Sequence, residues 1–161
     1  MVEYEIVPLT DRYRDWANQL IEERWGGVAI VTRGRIHDTS VLPGFVAVGG
    51  GKPMGLATYR MENDCCEMVS LDSLVEMIGI GTALVEAIKE EAVSKHCRRL
   101  WLITTNDNVN AIRFYQKRGF QLVAVHRNAL ELTRRLKPSL PQVGMDGIPL
   151  RDEIEMEMLL S

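Results

Sequence analysis

The sequence lacks a long hydrophobic run, an excess of basic residues and a recognisable secretion signal. No apolar run approaches the ~20 residues that a membrane-spanning helix needs, and the charges spread over residues 1–16 predict no signal peptide. The 19 basic and 22 acidic residues give a net charge of −3, whereas nucleic-acid-binding domains usually carry a basic excess. We therefore expect a cytoplasmic protein that binds neither nucleic acid nor a membrane.

The sequence is also poor in residues that form disulfides or hold metals. Its cysteines are Cys65, Cys66 and Cys97, and its histidines are His37, His96 and His126. An odd number of cysteines without a secretion signal is typical of reduced thiols in a cytoplasmic protein. Because there is no CxxC pair and the histidines lie far apart along the chain, we expect no metal site.

The overall composition excludes several further classes of protein. The 161 residues are 46% hydrophobic and 25% charged, which is ordinary for a globular protein and unlike a disordered chain, collagen or a disulfide scaffold. No internal repeat, low-complexity segment or linker divides the chain. We therefore expect a single domain over residues 1–161, long enough to bury a core.

The first half of the chain is predicted to hold short strands and one helix. Thr10 is expected to cap the helix and Gly26 to end it. The glycine cluster GGGKPMG separates two apolar runs that we expect to pair as an antiparallel hairpin. The predicted elements are a strand over 4–8, a helix over 11–25, a loop over 33–44, and strands over 45–48, 56–61 and 65–71.

The second half alternates helices with strands. Helical spacing of apolar residues predicts a helix over 82–97, and the continuous apolar run 100–103 predicts a strand covered on both faces. The further predicted elements are helices over 108–117 and 128–136 and strands over 120–125 and 153–158. A strand, helix and strand in this order imply a parallel pair with a right-handed crossover. We expect a mixed, mostly antiparallel sheet with one parallel pair at its centre, flanked by helices.

A glycine-containing turn lies between a strand and a helix at residues 76–82, which read EMIGIGT. The amides of residues 78–82 are expected at the N-terminus of the helix, where unpaired N–H groups and the helix dipole favour an anion such as phosphate. A P-loop needs a lysine that is absent here, and a dinucleotide fingerprint needs a glycine where Leu84 stands. Two readings remain, a GxG turn that holds a pyrophosphate with main-chain amides and a purely structural turn.

A second motif lies about thirty residues further on. Residues 108–120 match NxxAxxxYxxxGF in full, and residues 76–82 match ExxGxGT. In this order and spacing the sequence resembles the GCN5-related N-acetyltransferase (GNAT) family, whose first motif is Q/R-x-x-G-x-G-A/G. The resemblance covers about 65–125 and implies an α/β fold with a splayed parallel pair of strands. The C-terminal segment 127–161, predicted as helix, loop and strand, carries no family motif.

The resemblance implies acetyl-CoA as co-substrate, no metal, and transfer of the acetyl group to a primary amine of a small molecule or peptide. It leaves the oligomeric state open, a homodimer included. The cofactor-binding residues that it implies are Leu71, Ile78, Gly79, Ile80, Gly81, Thr82 and Asn108. Leu71 would pair its main chain with the pantetheine amides beside a bulge in its strand, and Asn108 opens its helix either as an N-cap or as a cofactor contact as well.

The first motif departs from the family at one position. Glu76 stands where the family has glutamine or arginine. Because a carboxylate beside a pyrophosphate is repelled, we expect the Glu76 side chain to point away from the phosphates.

The resemblance also implies direct attack by the amine within a ternary complex. Tyr115 matches the family tyrosine near the CoA sulfur, and its phenol is a proton donor for the departing thiolate. Glu67 is the expected general base and Asp72 the second candidate. In a regular strand these two carboxylates point to opposite faces, so only one of them can face the cleft.

The acceptor side has no motif. Trp25, Arg33, Arg35 and His37 follow the first helix, where the family places part of the acceptor wall. The acidic row Glu153, Glu155 and Glu157 could favour a cationic amine, but such a row is expected to be a solvated strand face. A non-catalytic acyl-CoA-binding module and an unrelated nucleotide-binding domain remain as alternative functions.

Overall fold

The computed structural model describes residues 3–161. The strands in this range are β1 (Glu5–Pro8), β2 (Ala29–Thr32), β3 (Arg35–Asp38), β4 (Gly44–Gly49), β5 (Lys52–Glu62), β6 (Cys65–Ser73), β7 (Arg99–Thr105), β8 (Gln121–His126) and β9 (Glu153–Leu159). The helices are α1 (Asp11–Trp25), α2 (Ile80–Ser94), α3 (Val109–Lys117) and α4 (Ala129–Leu136). The predicted succession of helices and strands is confirmed, except in the segment 29–44.

Seven strands form one sheet in the order β1-β4-β5-β6-β7-β9-β8. The pair β6–β7 is parallel and the other neighbours in this sheet are antiparallel. Helix α2 forms the crossover between the two parallel strands. The predicted fold class, a mixed and mostly antiparallel sheet with one central parallel pair, is therefore confirmed.

The parallel pair is short. β6 and β7 pair from Cys65–Arg99 to Glu67–Trp101 and not beyond. Further along, β6 keeps only its partner β5, and β7 keeps only its partner β9. A gap therefore opens in the middle of the sheet, toward the end of β6 that leads into the glycine turn.

The bulge in β6 lies at Val69, which corrects its expected position at Leu71. Thr58 of β5 pairs with Ser70, and the next residue of β5 pairs with Met68, so Val69 is the extra residue. An extra residue shifts the alternation of side chains beyond it by one position. No glycine marks this bulge, and the regular alternation predicted for β6 is wrong beyond Val69.

The bulge brings Glu67 and Asp72 to the same face of β6. Glu67 contacts Thr32 of β2, and Asp72 contacts Trp25 at the end of α1. Both contacts lie on the α1 side of the sheet, because α1 and β2 share one core cluster with Val69. The expectation that only one of the two carboxylates faces this side is therefore corrected.

The first half of the predicted loop 33–44 instead belongs to a hairpin, which is a second correction. β2 and β3 pair antiparallel from Ala29–Asp38 to Thr32–Arg35. The two residues of the turn, Arg33 and Gly34, have φ of 52° and 72°, the left-handed conformation that tight type I′ hairpin turns require. The hairpin has only four residues in each strand and its second strand is polar, so it does not resemble a strand pair in sequence. It packs against α1 and α4.

Helix α1 has the predicted bounds, and Gly26 ends it in the left-handed conformation with φ of 75°. Thr10 occupies the N-cap position, but its side chain makes no capping hydrogen bond. Helix α2 begins at Ile80 and ends at Ser94, so the predicted range 82–97 is displaced by two to three residues. The residues 95–97 form a turn that leads into β7.

The sheet separates two core clusters. The cluster on the α2 side includes Ile80, Leu84, Ile88, Leu100 and Phe120, and the cluster on the α1 side includes Ala17, Leu20, Ile21, Val46 and Leu56. β7 is buried mainly on the α2 side, because Leu100 and Leu102 are buried while Trp101 and Ile103 are half-buried. The prediction that β7 is covered on both faces is therefore wrong, and its partly open face lies beside the gap in the sheet.

Three findings bear on the expectations from composition. Cys66 and Cys97 are buried free thiols, and Cys65 is a half-buried one. Within residues 3–161, no group of three or more His, Cys, Asp or Glu side chains is arranged to hold a metal ion. In the same range, no helix is both long and apolar enough to cross a membrane.

Candidate active site

The glycine turn leads from β6 into α2. Gly79 is the N-cap of α2 and has a φ of 83°, a left-handed conformation that is strained for residues with a β-carbon. The Tyr4 hydroxyl donates a 3.2 Å hydrogen bond to the Ile78 carbonyl oxygen. The N-terminal segment thus braces the turn just before the helix begins.

The first turn of α2 has free main-chain donors. The Ala83 N–H donates to the Gly79 carbonyl oxygen at 3.0 Å. Within residues 3–161, the amides of Ile80, Gly81 and Thr82 have no hydrogen-bond acceptor. These donors and the positive end of the helix dipole suit a phosphate group.

The side chains of the turn fit the same ligand. The Glu76 side chain is exposed, so solvent can screen its charge. A β-carbon on Gly81 would lie 3.1 Å from Phe114 Cζ, so any larger residue here would require a small shift of the Phe114 ring. The residues of this turn are therefore compatible with a pyrophosphate bound by main-chain amides.

Helix α3 carries the second motif. The Asn108 side chain accepts a 3.1 Å hydrogen bond from the Ala111 amide, so the expected N-cap is confirmed. Tyr115 lies between two aromatic rings, with centroid distances of 5.3 Å to Phe114 and 5.5 Å to Phe120, both in edge-on geometry. These contacts fix the ring on the α2 side of the sheet.

The Tyr115 hydroxyl is held in its protonated form. Burial raises its pKa above the usual value of 10, and the nearby charge of Asp72 raises the pKa further. Because Asp72 contacts Trp25 on the α1 side, its influence on Tyr115 acts across the sheet, near the gap between β6 and β7. A neutral phenol at this place can donate a proton.

Glu67 is held by three polar neighbours and is 2% exposed. Its Oε2 accepts a 2.7 Å hydrogen bond from Thr32 Oγ1, and its Oε1 accepts a 3.2 Å hydrogen bond from Arg60 Nε. His37 Nε2 lies 3.7 Å from Oε1. Burial raises the pKa of Glu67, while Thr32 and Arg60 oppose this rise.

The hydrogen bonds around Thr32 define the state of His37. Thr32 donates its single hydroxyl proton to Glu67, so it must accept from His37 Nε2, which lies 2.6 Å away. His37 therefore carries a proton on Nε2. Burial, with the charges of Arg60 and Arg35, lowers the pKa of His37 to about 4, so the imidazole is neutral at neutral pH.

Asp72 is the second buried carboxylate of the site. Its Oδ2 accepts a 3.1 Å hydrogen bond from Trp25 Nε1, and burial raises its pKa. Asp72 has fewer polar partners than Glu67, and its charge is the one that reaches Tyr115. The site thus holds two carboxylates on one face of β6 and a phenol on the other side of the sheet.

The comparisons with known proteins agree with this geometry. A model of the acetyltransferase (GNAT) family matches residues 9–120. The chain belongs to this family. It is an acetyltransferase.

One relative and two solved structures illustrate the similarity. The Bacillus subtilis (strain 168) protein YdhI, described as uncharacterized, is 45% identical over 150 residues, which are 92% of this chain and 94% of YdhI. The ribosomal-protein-S18-alanine N-acetyltransferase from Escherichia coli has a TM-score of 0.70 at 20% identity, over 99% of this chain and 95% of that one. A GNAT family acetyltransferase from Elizabethkingia anophelis with acetyl-CoA bound has a TM-score of 0.70 at 19% identity, over 98% of each chain.

The acetyltransferase has a pocket of about 200 Å³ over the paired beginnings of β6 and β7, next to the β5–β6 turn. It is lined by Arg60, Glu62, Asn63, Cys65, Glu67, Arg99 and Trp101. Glu67 therefore borders an open space although its side chain is almost fully buried. The Arg99 guanidinium lies 5.1 Å from the centroid of the Trp101 ring and closes one side of this pocket.

The acidic row on β9 is not a solvated face, which corrects that expectation. Glu153 is 1% exposed and accepts hydrogen bonds of 3.1 Å from both the amide and Nη1 of Arg33. Glu155 and Glu157 both bind Arg99. All three carboxylates are therefore paired with arginines within the fold.

The four residues expected near the acceptor occupy different environments. Trp25 donates a hydrogen bond to Asp72, and His37 lies beside Glu67. Arg33 binds Glu153, and Arg35 binds Glu62 at 2.7 Å on the surface. Trp25 and His37 thus contact the two candidate bases, whereas the two arginines fasten the β2–β3 hairpin to the sheet.

Thr32 and Arg60, which both donate hydrogen bonds to Glu67, were not identified from the sequence. Thr32 lies in a segment predicted as neither strand nor site, and its hydroxyl reaches Glu67 only because the hairpin folds over β6. Arg60 lies directly opposite Glu67 in the β5–β6 ladder. A prediction of which residues pair across the β5–β6 hairpin could therefore have identified Arg60 as a partner of Glu67. No signal in the sequence marked Thr32.

Proposed function

We propose that this acetyltransferase transfers the acetyl group of acetyl-CoA to a primary amine by direct attack within a ternary complex. The observation that carries this proposal is the gap between β6 and β7, with two buried carboxylates on one side and the Tyr115 phenol on the other. A thioester lying in such a gap could meet an amine from the α1 side and a proton donor from the α2 side. This division of roles needs no covalent enzyme intermediate.

Acetyl-CoA is proposed to bind along the gap and the glycine turn. The amides of residues 78–82 would hold the pyrophosphate, and support comes from the free donors of Ile80, Gly81 and Thr82. The main chain of Leu71 would pair with the pantetheine amides, since the side of β6 that faces β7 has no strand partner there. Asn108 would lie close to the cofactor at the start of α3 while also capping that helix.

The general base is proposed to be Glu67, acting through water, with Asp72 as the second candidate. An alkylammonium has a pKa of about 10.4 and must lose a proton before it can attack. The pocket beside Glu67 gives water access to its carboxylate. Burial raises the pKa of Glu67 toward neutral pH, and a general base works best when its pKa is close to the pH of the reaction. Asp72 is kept as a candidate base because its charge raises the pKa of the Tyr115 hydroxyl, the proposed proton donor.

The amine nitrogen forms a bond to the thioester carbonyl carbon, the C–S bond breaks, and the thiolate leaves with the electron pair of that bond. One ammonium proton passes to the carboxylate base before the attack, and the base later releases it to solvent. The Tyr115 hydroxyl gives its proton to the thiolate, and the second proton lost by the nitrogen after the attack returns through water to the Tyr115 oxygen. The products are an N-acetyl amide and CoA.

The acceptor is proposed to be a small-molecule or peptide amine in the cytoplasm, recognised on the α1 side of the sheet. The Escherichia coli neighbour is named for acetylation of an alanine, which is consistent with an amine acceptor here. Trp25, His37 and the pocket beside Trp101 would form part of the acceptor wall. The proposal treats the chain as one domain over residues 1–161.

Titration and turnover together test the proposed function. Isothermal titration should detect binding of acetyl-CoA, and an assay of free thiol should detect CoA release when an amine panel is added. A panel of polyamines, amino acids, aminoglycosides and peptides with free N-termini covers the acceptor classes. Binding of acetyl-CoA with no amine-dependent thiol release across this panel would contradict amine acetylation while leaving the cofactor site intact.

A further inference from the structure

Arg118, just after α3, lies against the first turn of α2. Its Nε donates a 2.9 Å hydrogen bond to Thr82 Oγ1, and its Nη1 donates a 3.2 Å hydrogen bond to the Phe114 carbonyl oxygen. The guanidinium carbon lies 3.9 Å from the centroid of the Phe114 ring. Three contacts on two helices therefore fix this cation in place.

The position of Arg118 is defined relative to the free amides of α2. Phe114 also touches the α2 backbone, since a β-carbon on Gly81 would lie 3.1 Å from its ring. Phe114 is thus packed between the Arg118 guanidinium and Gly81. Arg118 is bonded to Thr82, whose own amide is one of the three without an acceptor in residues 3–161.

The turn itself supplies no full positive charge to a bound pyrophosphate. Glu76 is the only charged residue in the segment 74–83, and it stands where related sequences carry a glutamine or an arginine. A pyrophosphate brings further negative charge, and main-chain amides alone provide only partial positive charge. A full positive charge from outside the turn would therefore strengthen the binding of a pyrophosphate.

Arg118 still has donors to offer. A guanidinium carries five N–H groups, and two are used by Thr82 and Phe114, which leaves three. Planar, paired donors suit the oxygens of a phosphate. Stacking on Phe114 and the bond to Thr82 restrict the side chain, so little rotamer freedom is lost when it binds an anion.

We propose that Arg118 is a cofactor-binding residue that donates to the pyrophosphate of CoA and supplies the positive charge that the turn, with Glu76 in place of glutamine or arginine, does not. This inference rests on the proposed cofactor site. It adds a side chain from α3 to a site otherwise built from the main chain of α2.

The test measures CoA affinity and needs no acceptor. Arg118→Met keeps an unbranched stem over Phe114 and removes the charge. We expect it to weaken CoA binding at least tenfold by isothermal titration, about 1.4 kcal/mol. Arg113→Met is the matched control, because Arg113 is exposed on the same helix, and it should bind CoA like the wild type.

Ligand variation identifies the phosphate that is bound. The loss in Arg118→Met should be as large for 3′-dephospho-CoA, which keeps the pyrophosphate, and should disappear for pantetheine, which has none. The salt dependence of CoA binding should also be weaker in Arg118→Met than in the wild type. A loss that disappears with 3′-dephospho-CoA would overturn the assignment to the pyrophosphate.

A second variant keeps the test decisive if Arg118→Met loses its fold in circular dichroism. Thr82→Val retains the β-branched shape and the amide but removes the acceptor of the Arg118 bond. It should weaken CoA binding in the same direction, and combining it with Arg118→Lys should cost less than the sum of the two single losses. Wild-type-like affinity in folded Arg118→Met, or in Thr82→Val, overturns the inference, whereas failure of the wild type to bind CoA would overturn the cofactor site itself.

Discussion

The Thr32 hydroxyl donates a 2.7 Å hydrogen bond to the carboxylate of Glu67, 35 residues away in the chain. The bond exists because the β2–β3 hairpin lies over the α1 face of β6. It holds one oxygen of the proposed base, while Arg60 holds the other. The orientation of the carboxylate is therefore fixed before any substrate arrives.

Removal of the Thr32 hydroxyl should change the pH dependence of the enzyme. The hydrogen bond from Thr32 lowers the pKa of Glu67 against the effect of burial, so Thr32→Val should raise that pKa further. The acid limb of kcat/KM should then move to higher pH, while the rate on the plateau should change little. Thr32→Ser keeps the hydroxyl and should retain the wild-type profile.

The free energy of unfolding should also depend on the protonation of Glu67. With a folded-state pKa above the ordinary 4.5, the folded protein binds a proton that the unfolded chain releases in the window between the two values. Stability from this group is therefore lost as the pH rises through that window. Thr32→Val should extend the window to higher pH and increase the total loss. An acid limb unchanged in Thr32→Val would show that Glu67 is not the group that titrates.

The two buried carboxylates can be separated by substitution. Glu67→Gln should lower the rate at neutral pH and flatten the acid limb of kcat/KM, because the proposed base is lost. Asp72→Asn is the matched variant on the same face and should do much less. If Asp72→Asn is the damaging change and Glu67→Gln is close to wild type, the base is Asp72. If neither matters, the proton is removed by solvent or by a residue of the N-terminal or C-terminal segments.

The proposed proton donor has a simple test. Tyr115→Phe keeps the edge-on contacts with Phe114 and Phe120 and removes only the hydroxyl. Turnover should fall roughly 10²-fold, typical of lost general acid catalysis, with little change in acetyl-CoA affinity, because the hydroxyl acts mainly in the transition state. Tyr13→Phe on α1 is the control, and wild-type turnover in Tyr115→Phe would mean that the thiolate leaves unaided.

The glycine turn should not tolerate bulk at Gly81. Gly81→Val should weaken acetyl-CoA binding at least tenfold, about 1.4 kcal/mol, because side-chain atoms would occupy space where the backbone approaches the phosphate. Isothermal titration measures the affinity, and a thermal melt checks the fold, since the new side chain also presses on Phe114. Ile80→Val, one residue earlier, adds no bulk and should bind normally; equal affinities in the two folded variants would contradict a pyrophosphate at this turn.

Much of the fold could be predicted because local signals were strong. Helix α1 ends at Gly26 as expected, and the helical spacing of α2 and α3 located both crossover helices to within a few residues. The β2–β3 hairpin was missed because its strands have four residues each and its turn is Arg33–Gly34 rather than the more common Asn-Gly or Asp-Gly.

The site was predictable only in part. The two motifs named the residues of the glycine turn and Tyr115, since these are fixed by short spacings within one segment. The relation between Glu67 and Asp72 was not predictable, because it depends on a bulge at Val69 that no residue type marks. The partners Thr32 and Trp25 come from distant elements, and their contacts follow from packing of the hairpin and α1 on the sheet.

Mass spectrometry with acetyl-CoA labelled by carbon-13 in its acetyl group tests amine acetylation most directly. The enzyme is incubated with an acceptor selected by thiol release, and the acceptor and the intact enzyme are both weighed. The proposed function predicts that the acceptor gains one labelled acetyl group on its amine nitrogen, that CoA is released in equal amount, and that the enzyme itself gains none. Label found on the enzyme as an obligatory intermediate, or CoA release without a labelled amide, would contradict direct transfer to an amine.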